Sequence, residues 1–245
     1  MWVAKGMFPF FLFFLISIPY SRAQDAHYLY KTSLVQAAPG KLLEIIEIYK
    51  ALAVEQGKSG IDEPLLLMRH SQGDRWDLLL MFPMGSYADY YQPERISKRT
   101  RWENPIREKL KGEVAWQEDV FVYGPPLIQV RKGFADAGLF HVEMFQSLPG
   151  KEAELYRQRE MENVFSAKLG QPQNLIFSRD QRAAWEVFTI GCFRNLKQYA
   201  QSEDESKADQ ETAAKVAGFE SSSQIGPYLR TLISLHHDTL AVAVK

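Results

Sequence analysis

The sequence predicts an α+β fold built from two β-α-β-β-α-β units in one chain. Residues 28–41 and 139–151 each read as an alternating apolar strand that runs into Pro-Gly-Lys and then into a helical pattern. Further on, Arg75-Trp76-Asp77-Leu78-Leu79 matches Ala184-Trp185-Glu186-Val187-Phe188 at nearly the same spacing. Matches that recur in the same order along a chain indicate an internal repeat.

The N-terminal segment predicts export. Lys5 precedes an apolar run over residues 7–18, and Ser21-Arg22-Ala23 follows as a small-residue cleavage site. A cationic lead, a short apolar run and such a site define a secretory signal peptide. The run is shorter than the roughly 20 apolar residues that span a bilayer. We therefore expect residues 1–23 to be removed by cleavage after Ala23, leaving a secreted or periplasmic protein without a stable membrane span.

Composition limits the partners of the chain. It has 29 Lys and Arg against 30 Asp and Glu, and no run of basic residues. Nucleic acid is therefore not an expected partner, because binding to it depends on a basic patch. Cys192 is the only cysteine, so an exported form has no internal disulfide and depends on its apolar core. A small-molecule ligand and an oligomer are both compatible with this composition.

The first unit, residues 24–124, is predicted to begin with a strand. A helix follows, starting near Pro39 and stopping at Gly57. Its apolar residues form one helical stripe, at Leu42, Ile45, Ile46, Tyr49 and Leu52. Ser86 is expected to cap a second helical region that reaches about residue 110. The remaining strands are expected at 64–70, 75–82 and 114–123.

The second unit, residues 138–245, repeats this order after a linker at 125–137. Its strands are expected at 138–147, 173–179, 183–190 and 237–244. Its helices are expected at 149–168 and within 194–233. Each unit therefore has the order of the ferredoxin-like split βαβ motif.

The segment from Asp77 to Tyr91, a strand followed by a turn and a helix, resembles the dimeric α/β-barrel superfamily, and Phe188 to Tyr199 does so as well. That group includes antibiotic-biosynthesis-monooxygenase-like, stress-responsive-barrel and NIPSNAP-like domains. The resemblance covers nearly all of residues 24–245 and implies two units that close into a pseudo-dimeric α/β barrel. The helical His of the haem-degrading relatives has no counterpart here. The His residues of the stress-responsive-barrel cyclases are also missing from Tyr91-Gln92-Pro93-Glu94, so neither activity is carried over.

Strand alternation suggests where polar side chains point. In the implied barrel, we expect Tyr30 and Phe140 to face the outer helices, so that Lys31, His141 and Glu143 point inward. A shift of one residue would reverse this arrangement. His141 and Glu143 share one strand face, where they could serve acid–base catalysis or give two ligands to a metal. The alternative is a solvent-facing strand with ordinary polar residues.

The tripeptide His236-His237-Asp238 is the densest group of ligand-type side chains. Because neighbouring strand residues face opposite ways, only one of its two histidines can enter a pocket. The alternative to a binding site is that these residues form the polar beginning of the last strand, where Asp238 caps the preceding turn. The candidate catalytic residues are His141, Glu143 and His237, and the candidate ligand contacts are Lys31, His236, Trp76 and Trp185. For the two tryptophans, packing in the core is the simpler alternative.

Motifs for nucleotide binding, serine hydrolysis and zinc proteolysis are absent from the sequence. We therefore expect no cofactor, assign no metal, and predict a barrel pocket for an apolar or aromatic ligand, with or without catalysis. The alternative is a non-catalytic structural or oligomerisation module. A cavity lined by His141, Glu143 and one histidine of the tripeptide would favour the binding protein. A barrel filled by Leu, Met and Phe would favour the module.

Overall fold

The structure, a computed structural model, describes residues 28–60, 64–201 and 205–244. The predicted signal peptide, residues 1–23, lies outside the described residues. Within these ranges eight antiparallel strands close into a barrel and eight helices accompany them, which confirms the α+β class. No helix in the described ranges is both long enough and apolar enough to cross a membrane.

The barrel strands have between 7 and 11 residues and are rich in apolar side chains. They are β1 (Tyr28–Ala37), β2 (Leu66–Gln72), β3 (Leu78–Gly85), β4 (Val114–Gly124), β5 (Leu139–Ser147), β6 (Leu175–Gln181), β7 (Val187–Phe193) and β8 (Ile233–Ala243). Around the barrel they follow the order β1-β3-β2-β8-β5-β7-β6-β4, and β4 pairs with β1. The N-terminal and C-terminal halves meet along β2·β8 and β4·β6, so both halves are needed to close the barrel.

The helices are α1 (Leu42–Ser59), α2 (Tyr87–Tyr90), α3 (Pro93–Leu110), α4 (Leu127–Ala135), α5 (Glu152–Lys168), α6 (Leu196–Ala200), α7 (Lys207–Ala217) and α8 (Ile225–Arg230). The Ser86 hydroxyl accepts the Asp89 amide N–H, which confirms the predicted cap. The predicted stop of α1 at Gly57 is wrong, because Gly60 takes the left-handed conformation that ends the helix. Pro93 starts α3, so the second helical region is divided in two.

Side chains from both halves fill the barrel. Tyr30 and Leu34 of β1 share one buried cluster with Phe140 and Met144 of β5. The remaining buried members include Met68, Leu79, Met81, Val122, Val142, Phe177, Phe188 and Ile190. The ring of Phe177 stacks on that of Phe188 with centroids 4.6 Å apart. The centre of the barrel is therefore a packed core.

The predicted facing of β1 and β5 is wrong. Tyr30 and Phe140 point into the barrel, and Lys31, His141 and Glu143 lie on the outer face towards the helices. The alternation itself was correct, but both faces of a strand are covered in a barrel wrapped by helices. The more apolar face packs inside, because only the outer face offers long polar side chains a route to solvent.

Helix α4 lies in the segment predicted as a linker. Its Val130 and Phe134 are buried in the barrel cluster, and the Phe134 ring lies 5.9 Å from that of Phe140. The Tyr30 hydroxyl donates to the Pro125 carbonyl at 2.6 Å, which ties the start of this segment to β1. Helix α4 therefore covers the barrel end where β1 and β5 begin. The β2–β3 and β6–β7 hairpins lie at the other end.

Candidate functional site

A cavity of about 280 Å³ opens at the barrel end opposite α4, and we call it the barrel-end pocket. Its apolar lining consists of Leu34, Met144, Ala184, Trp185 and Leu235. Its polar lining consists of Asp74, Arg75, Glu118, Gln146 and His237. An apolar surface with a few convergent polar groups is the usual composition of a small-molecule site.

The central strands place the floor of the barrel-end pocket. Leu34 lies four positions after Tyr30, and Met144 lies four positions after Phe140, which is about 13 Å along each strand. Both residues are nearly fully buried, so the packed core ends at them. Trp185 is 8% exposed and packs edge-on against Phe188 with centroids 5.0 Å apart. The floor is therefore rigid and apolar.

Charged groups surround the mouth of the barrel-end pocket. The Arg75 guanidinium lies 4.4 Å from the Trp116 ring centroid, and the Arg75 amide donates to the Asp74 carboxylate at 2.6 Å. The same carboxylate lies 3.5 Å from Nδ1 of His237. Burial raises the pKa of Glu118 above its usual range, and the positive charge of Arg75 offsets only part of this. Glu118 can therefore keep a proton at a pH where an exposed carboxyl has lost it.

A second polar group lies on the outer face of β5 and β8. It comprises His141, Glu143 and Asp238, and we call it the β5–β8 cluster. Glu143 and Asp238 are paired across the two strands, and Nε2 of His141 lies 3.5 Å from Oδ1 of Asp238. One donor atom from each residue lies within 4.8 Å of the others, a geometry that could hold a metal ion. His236 adds a second imidazole, with Nε2 3.0 Å from Oδ2 of Asp238.

Helix α5 and strand β7 support the β5–β8 cluster. Arg159, 2% exposed, places Nη1 3.5 Å from both carboxylate oxygens of Glu143, and Thr189 donates to Glu143 at 2.9 Å. Burial lowers the pKa of His141. Its hydrogen bond with Asp238 and the negative charge of Glu143 raise the pKa by more than burial lowers it, so the pKa of His141 lies above its usual value. The hydrogen bond with His141 in turn lowers the pKa of Asp238.

The structure separates the residues that the sequence nominated. His237 and Trp185 line the barrel-end pocket, whereas His141, Glu143 and His236 lie on the outer face. The three candidate catalytic residues therefore do not form one site. Two nominated ligand contacts lie elsewhere. Trp76 is buried in the core at 1% exposure, and Lys31 lies on the outer face of β1, 4.0 Å from Asp119.

Three functional candidates were missed. Arg75 and Glu118 line the barrel-end pocket, but each reads as an ordinary polar residue in a hairpin or strand. Arg159 was missed as the partner of Glu143. A signal for it exists in the sequence. Leu155, Arg159 and Glu162 follow one another at helical spacing, so a charged pair interrupts the buried stripe of α5.

Comparison with solved structures finds the same fold at low sequence identity. An anthrone oxidase-like protein matches with 12% identity and a TM-score of 0.56, over 89% of this chain and 92% of that chain. A candidate monooxygenase from Lactobacillus acidophilus NCFM matches with 8% identity and a TM-score of 0.51, over 89% of this chain and 100% of that chain. A candidate monooxygenase from Fusobacterium nucleatum subsp. nucleatum matches with 7% identity and a TM-score of 0.57, over 90% of this chain and 94% of that chain.

Neither the protein-family models nor the curated proteins gave a match. Identities this low show a shared fold and nothing finer. The chain accordingly shares the α+β barrel fold of these three solved structures.

Proposed function

We propose that this chain is an exported protein of two fused ferredoxin-like units that binds a small, partly aromatic molecule in the barrel-end pocket. The observation that carries the proposal is the pocket itself. Trp185, Leu34 and Met144 form an apolar floor, and Arg75, Glu118 and His237 converge above it. Such a combination of buried apolar surface and a few oriented polar groups suits a small ligand better than a protein partner.

Strand pairing supports the tandem arrangement of units 24–124 and 138–245. In β1·β4, Leu34 is opposite Glu118 and Gln36 is opposite Trp116. In β5·β8, Met144 is opposite His237 and Gln146 is opposite Leu235. The two pairs of strands therefore have equivalent registers. The hairpins agree as well, because the amide of Asp77 donates to Val35 and that of Glu186 donates to Phe145.

This equivalence explains why there is space for a ligand. In the first unit Arg75 stacks on Trp116. The corresponding positions of the second unit are Ala184 and Leu235, both of which line the barrel-end pocket. Two smaller side chains thus replace an arginine and a tryptophan, and the missing volume opens on one side only. We infer that divergence between the units produced the site.

The volume limits the ligand. A cavity of about 150 Å³ in another protein holds one benzene molecule, so about 280 Å³ suits one or two rings with a polar substituent. The floor would contact the rings, and Arg75 or His237 would contact the substituent. The names of the fold neighbours, monooxygenases and an anthrone oxidase-like protein, accord with a small-molecule ligand.

Proton transfer is the second candidate function, and it is favoured by the raised pKa of Glu118. A carboxyl whose pKa is raised by burial is suited to act as a general acid, and the imidazole of His237, 3.5 Å from Asp74, could act as the base towards the same ligand. Among the residues nominated as catalytic, His237 is the one that lies in the barrel-end pocket. His141 and Glu143 would need a different role.

The packed interior supports the competing reading of a structural module, since no ligand fits among Phe177, Phe188 and their neighbours. The decisive experiment is a screen of naphthols, hydroxyquinones and aromatic acids by thermal shift and NMR. We expect at least one compound to shift resonances of Trp185 and His237. If no compound in the screen shifts these resonances, the structural module is the better description of the function.

The variant Ala184→Arg/Leu235→Trp tests the location. It copies the Arg75–Trp116 stack into the second unit, so it should close the barrel-end pocket and weaken binding at least about tenfold while the thermal midpoint stays within a few degrees. Leu43→Trp, at a position 70% exposed on α1, is the control and should bind like the wild type. Undiminished binding by the pocket-filling variant would place the ligand elsewhere.

Export has its own test. Cleavage after Ala23 gives a mature chain that begins at Gln24, so the intact mass of protein recovered from outside the cytoplasm should lack residues 1–23. Recovery of an unprocessed chain from the membrane fraction would show that this part of the proposal is wrong.

A further inference from the structure

We propose that the β5–β8 cluster is a binding site for a divalent transition-metal ion, with His141, Glu143 and Asp238 as its ligands. The site lies on the outer face of the barrel, away from the barrel-end pocket, so it does not depend on the proposed small-molecule function. The sequence alone assigns no metal, although His141 and Glu143 could give two ligands to one. Only the pairing of β5 with β8 brings Asp238 to the two residues of β5.

The donor atoms lie within reach of such an ion, although they are further apart than a bound ion would hold them. They lie within 4.8 Å of one another, whereas donors around a tetrahedral ion with bonds near 2.1 Å are about 3.4 Å apart. Side-chain rotations that move the donor atoms by about an ångström would therefore bring them to the separation around a bound ion. Glu143 and Asp238 are direct partners across the strands, and His141 shares their face two positions earlier. The backbone thus holds all three ligands on rigid strands.

The first unit supplies an internal comparison. Ser33 pairs with Asp119 in β1·β4, in the same way that Glu143 pairs with Asp238 in β5·β8. In the first unit Lys31 places its ammonium 4.0 Å from the Asp119 carboxylate, and Ser33 donates to that carboxylate at 2.6 Å. The Lys31 ammonium thus balances the negative charge of Asp119, and the Ser33 hydroxyl satisfies one of its oxygens. At the equivalent positions the second unit has His141 and Glu143, a neutral ligand and an added negative charge.

The charge balance of the second unit is consequently incomplete. Arg159 is the one buried cation beside the cluster among the described residues, and the exposed Arg230 contributes a second positive charge near Asp238. Glu143, Glu162 and Asp238 are the three carboxylates of this region, so they outnumber the two guanidinium groups. Arg159 is held mainly by Glu162 and by Gln158, which accepts from its Nε at 2.7 Å. Its contacts to Glu143 are long, at 3.5 Å, so Glu143 can turn towards another cation. A bound divalent ion would balance the excess negative charge.

The donor set selects the kind of ion. An imidazole nitrogen with two carboxylates suits zinc, manganese or iron(II), whereas magnesium and calcium prefer all-oxygen sites. His236 orients Asp238: the Arg230 guanidinium donates to its Nδ1 at 3.0 Å, so its Nε2 carries the proton and donates to the second oxygen of Asp238 at 3.0 Å. The solvent-exposed side of Asp238 gives the ion a route into the site.

Zinc binding to the metal-depleted full chain tests the site directly. Titration calorimetry of the wild type should show one zinc ion per chain, and cobalt(II) should give the visible absorption of a low-coordinate site. Asp238→Asn and His141→Gln should each weaken zinc binding at least about tenfold. The matched controls are Asp119→Asn, the equivalent position of the first unit, and His70→Ala, a histidine outside the cluster. Both controls should bind like the wild type.

A second variant guards against loss of folding. His141→Lys/Glu143→Ser copies the arrangement of Lys31 and Ser33 into the second unit, so it should stay folded and lose zinc binding. Wild-type protein without stoichiometric zinc would overturn the proposal, as would undiminished binding by Asp238→Asn and His141→Gln. Ala184→Arg/Leu235→Trp should still bind zinc, so failure of the small-molecule site and failure of the metal site can be told apart.

Discussion

Glu118 and His237 show how single residues distinguish two strands with equivalent registers. Each is opposite a floor residue of the barrel-end pocket, Leu34 for Glu118 and Met144 for His237. Glu118 is half-buried, and His237 is 46% exposed on its side chain. The same depth in the barrel thus has an acid with a raised pKa on one side and an imidazole on the other. Such a pair of unlike titratable groups is a common feature of acid–base sites.

The raised pKa of Glu118 makes the stability of the protein depend on pH. The folded state holds the Glu118 proton more tightly than the unfolded state, whose pKa is near 4.5. This contribution to stability is fully present below pH 4.5 and is lost as the pH rises through the folded pKa. Glu118→Gln cannot lose a proton. The free energy of unfolding of this variant, relative to wild type, should therefore increase with pH across that window.

Urea unfolding at several pH values between about 4 and 7 measures the effect of Glu118→Gln. Glu55→Gln, on the exposed face of α1, controls for the loss of one negative charge. A constant difference between wild type and Glu118→Gln over the whole range would contradict the raised pKa.

The hairpin elements at the pocket end are fixed by contacts of the same kind in both halves of the chain. The Asp77 carboxylate accepts the Ala37 amide at 2.8 Å, and the Glu186 carboxylate accepts the Ser147 amide at 2.7 Å. Each hairpin is thereby attached to the end of its central strand. In the first unit, Gly73 also lies directly against the backbone of β8. The hairpins are therefore fixed walls of the barrel-end pocket.

Gly73→Ala tests this contact. A Cβ atom at residue 73 would lie 2.3 Å from the backbone oxygen of Asp238, and the φ angle of +126° is unfavourable for any side chain. We expect a loss of several kcal/mol in the free energy of unfolding, since neither the strand nor the turn can move freely. The measurement is urea denaturation.

The matched control is Gly112→Ala, which also has a positive φ, of +79°, but has nothing within 4 Å of the added atom. It should cost only about 1 kcal/mol, because the backbone strain is present without the clash. Equal losses for the two variants would show that the approach of the hairpin to β8 is unimportant.

At the scale of the whole molecule, strands from both halves of the chain close one barrel. Strands β2 and β4 of the N-terminal half pair with β8 and β6 of the C-terminal half. Tyr30, Leu34 and Met81 would face water if the C-terminal half were absent. Exposure of an apolar sheet face together with two unpaired strand edges favours self-association.

A fragment of residues 24–124 should therefore aggregate or pair with itself. Size-exclusion chromatography with light scattering measures its mass, and circular dichroism follows its unfolding. Addition of a fragment of residues 125–245 should restore a soluble complex of one copy of each. A monomeric 24–124 fragment that unfolds cooperatively would refute the fused-barrel arrangement.

Local signals in the sequence located most of the strands and helices. The Pro-Gly-Lys motif after β1 and β5, the Ser86 cap and the apolar stripe at Leu42 to Leu52 depend on neighbours within one turn or strand, which a sequence displays directly. The helix in residues 125–137 was missed because Gly124-Pro125-Pro126 reads as a linker. Val130 and Phe134 become buried only because they cover the end of the barrel, and that contact is not visible in the local sequence.

The sequence by itself determined the class of fold and the alternation of β1 and β5, and it predicts the matched positions in the two halves of the chain. It also determined that only one of His236 and His237 could reach a pocket. Tertiary structure alone decided that this residue is His237, that His141 and Glu143 face outward, and that Asp238, Arg159 and Glu118 belong to the sites. The physical reason is that an alternating strand can point either of its two faces into the barrel, and the alternation itself is the same in both cases. Which phase is inside depends on how well each face fills a closed barrel, and that is a property of all eight strands together.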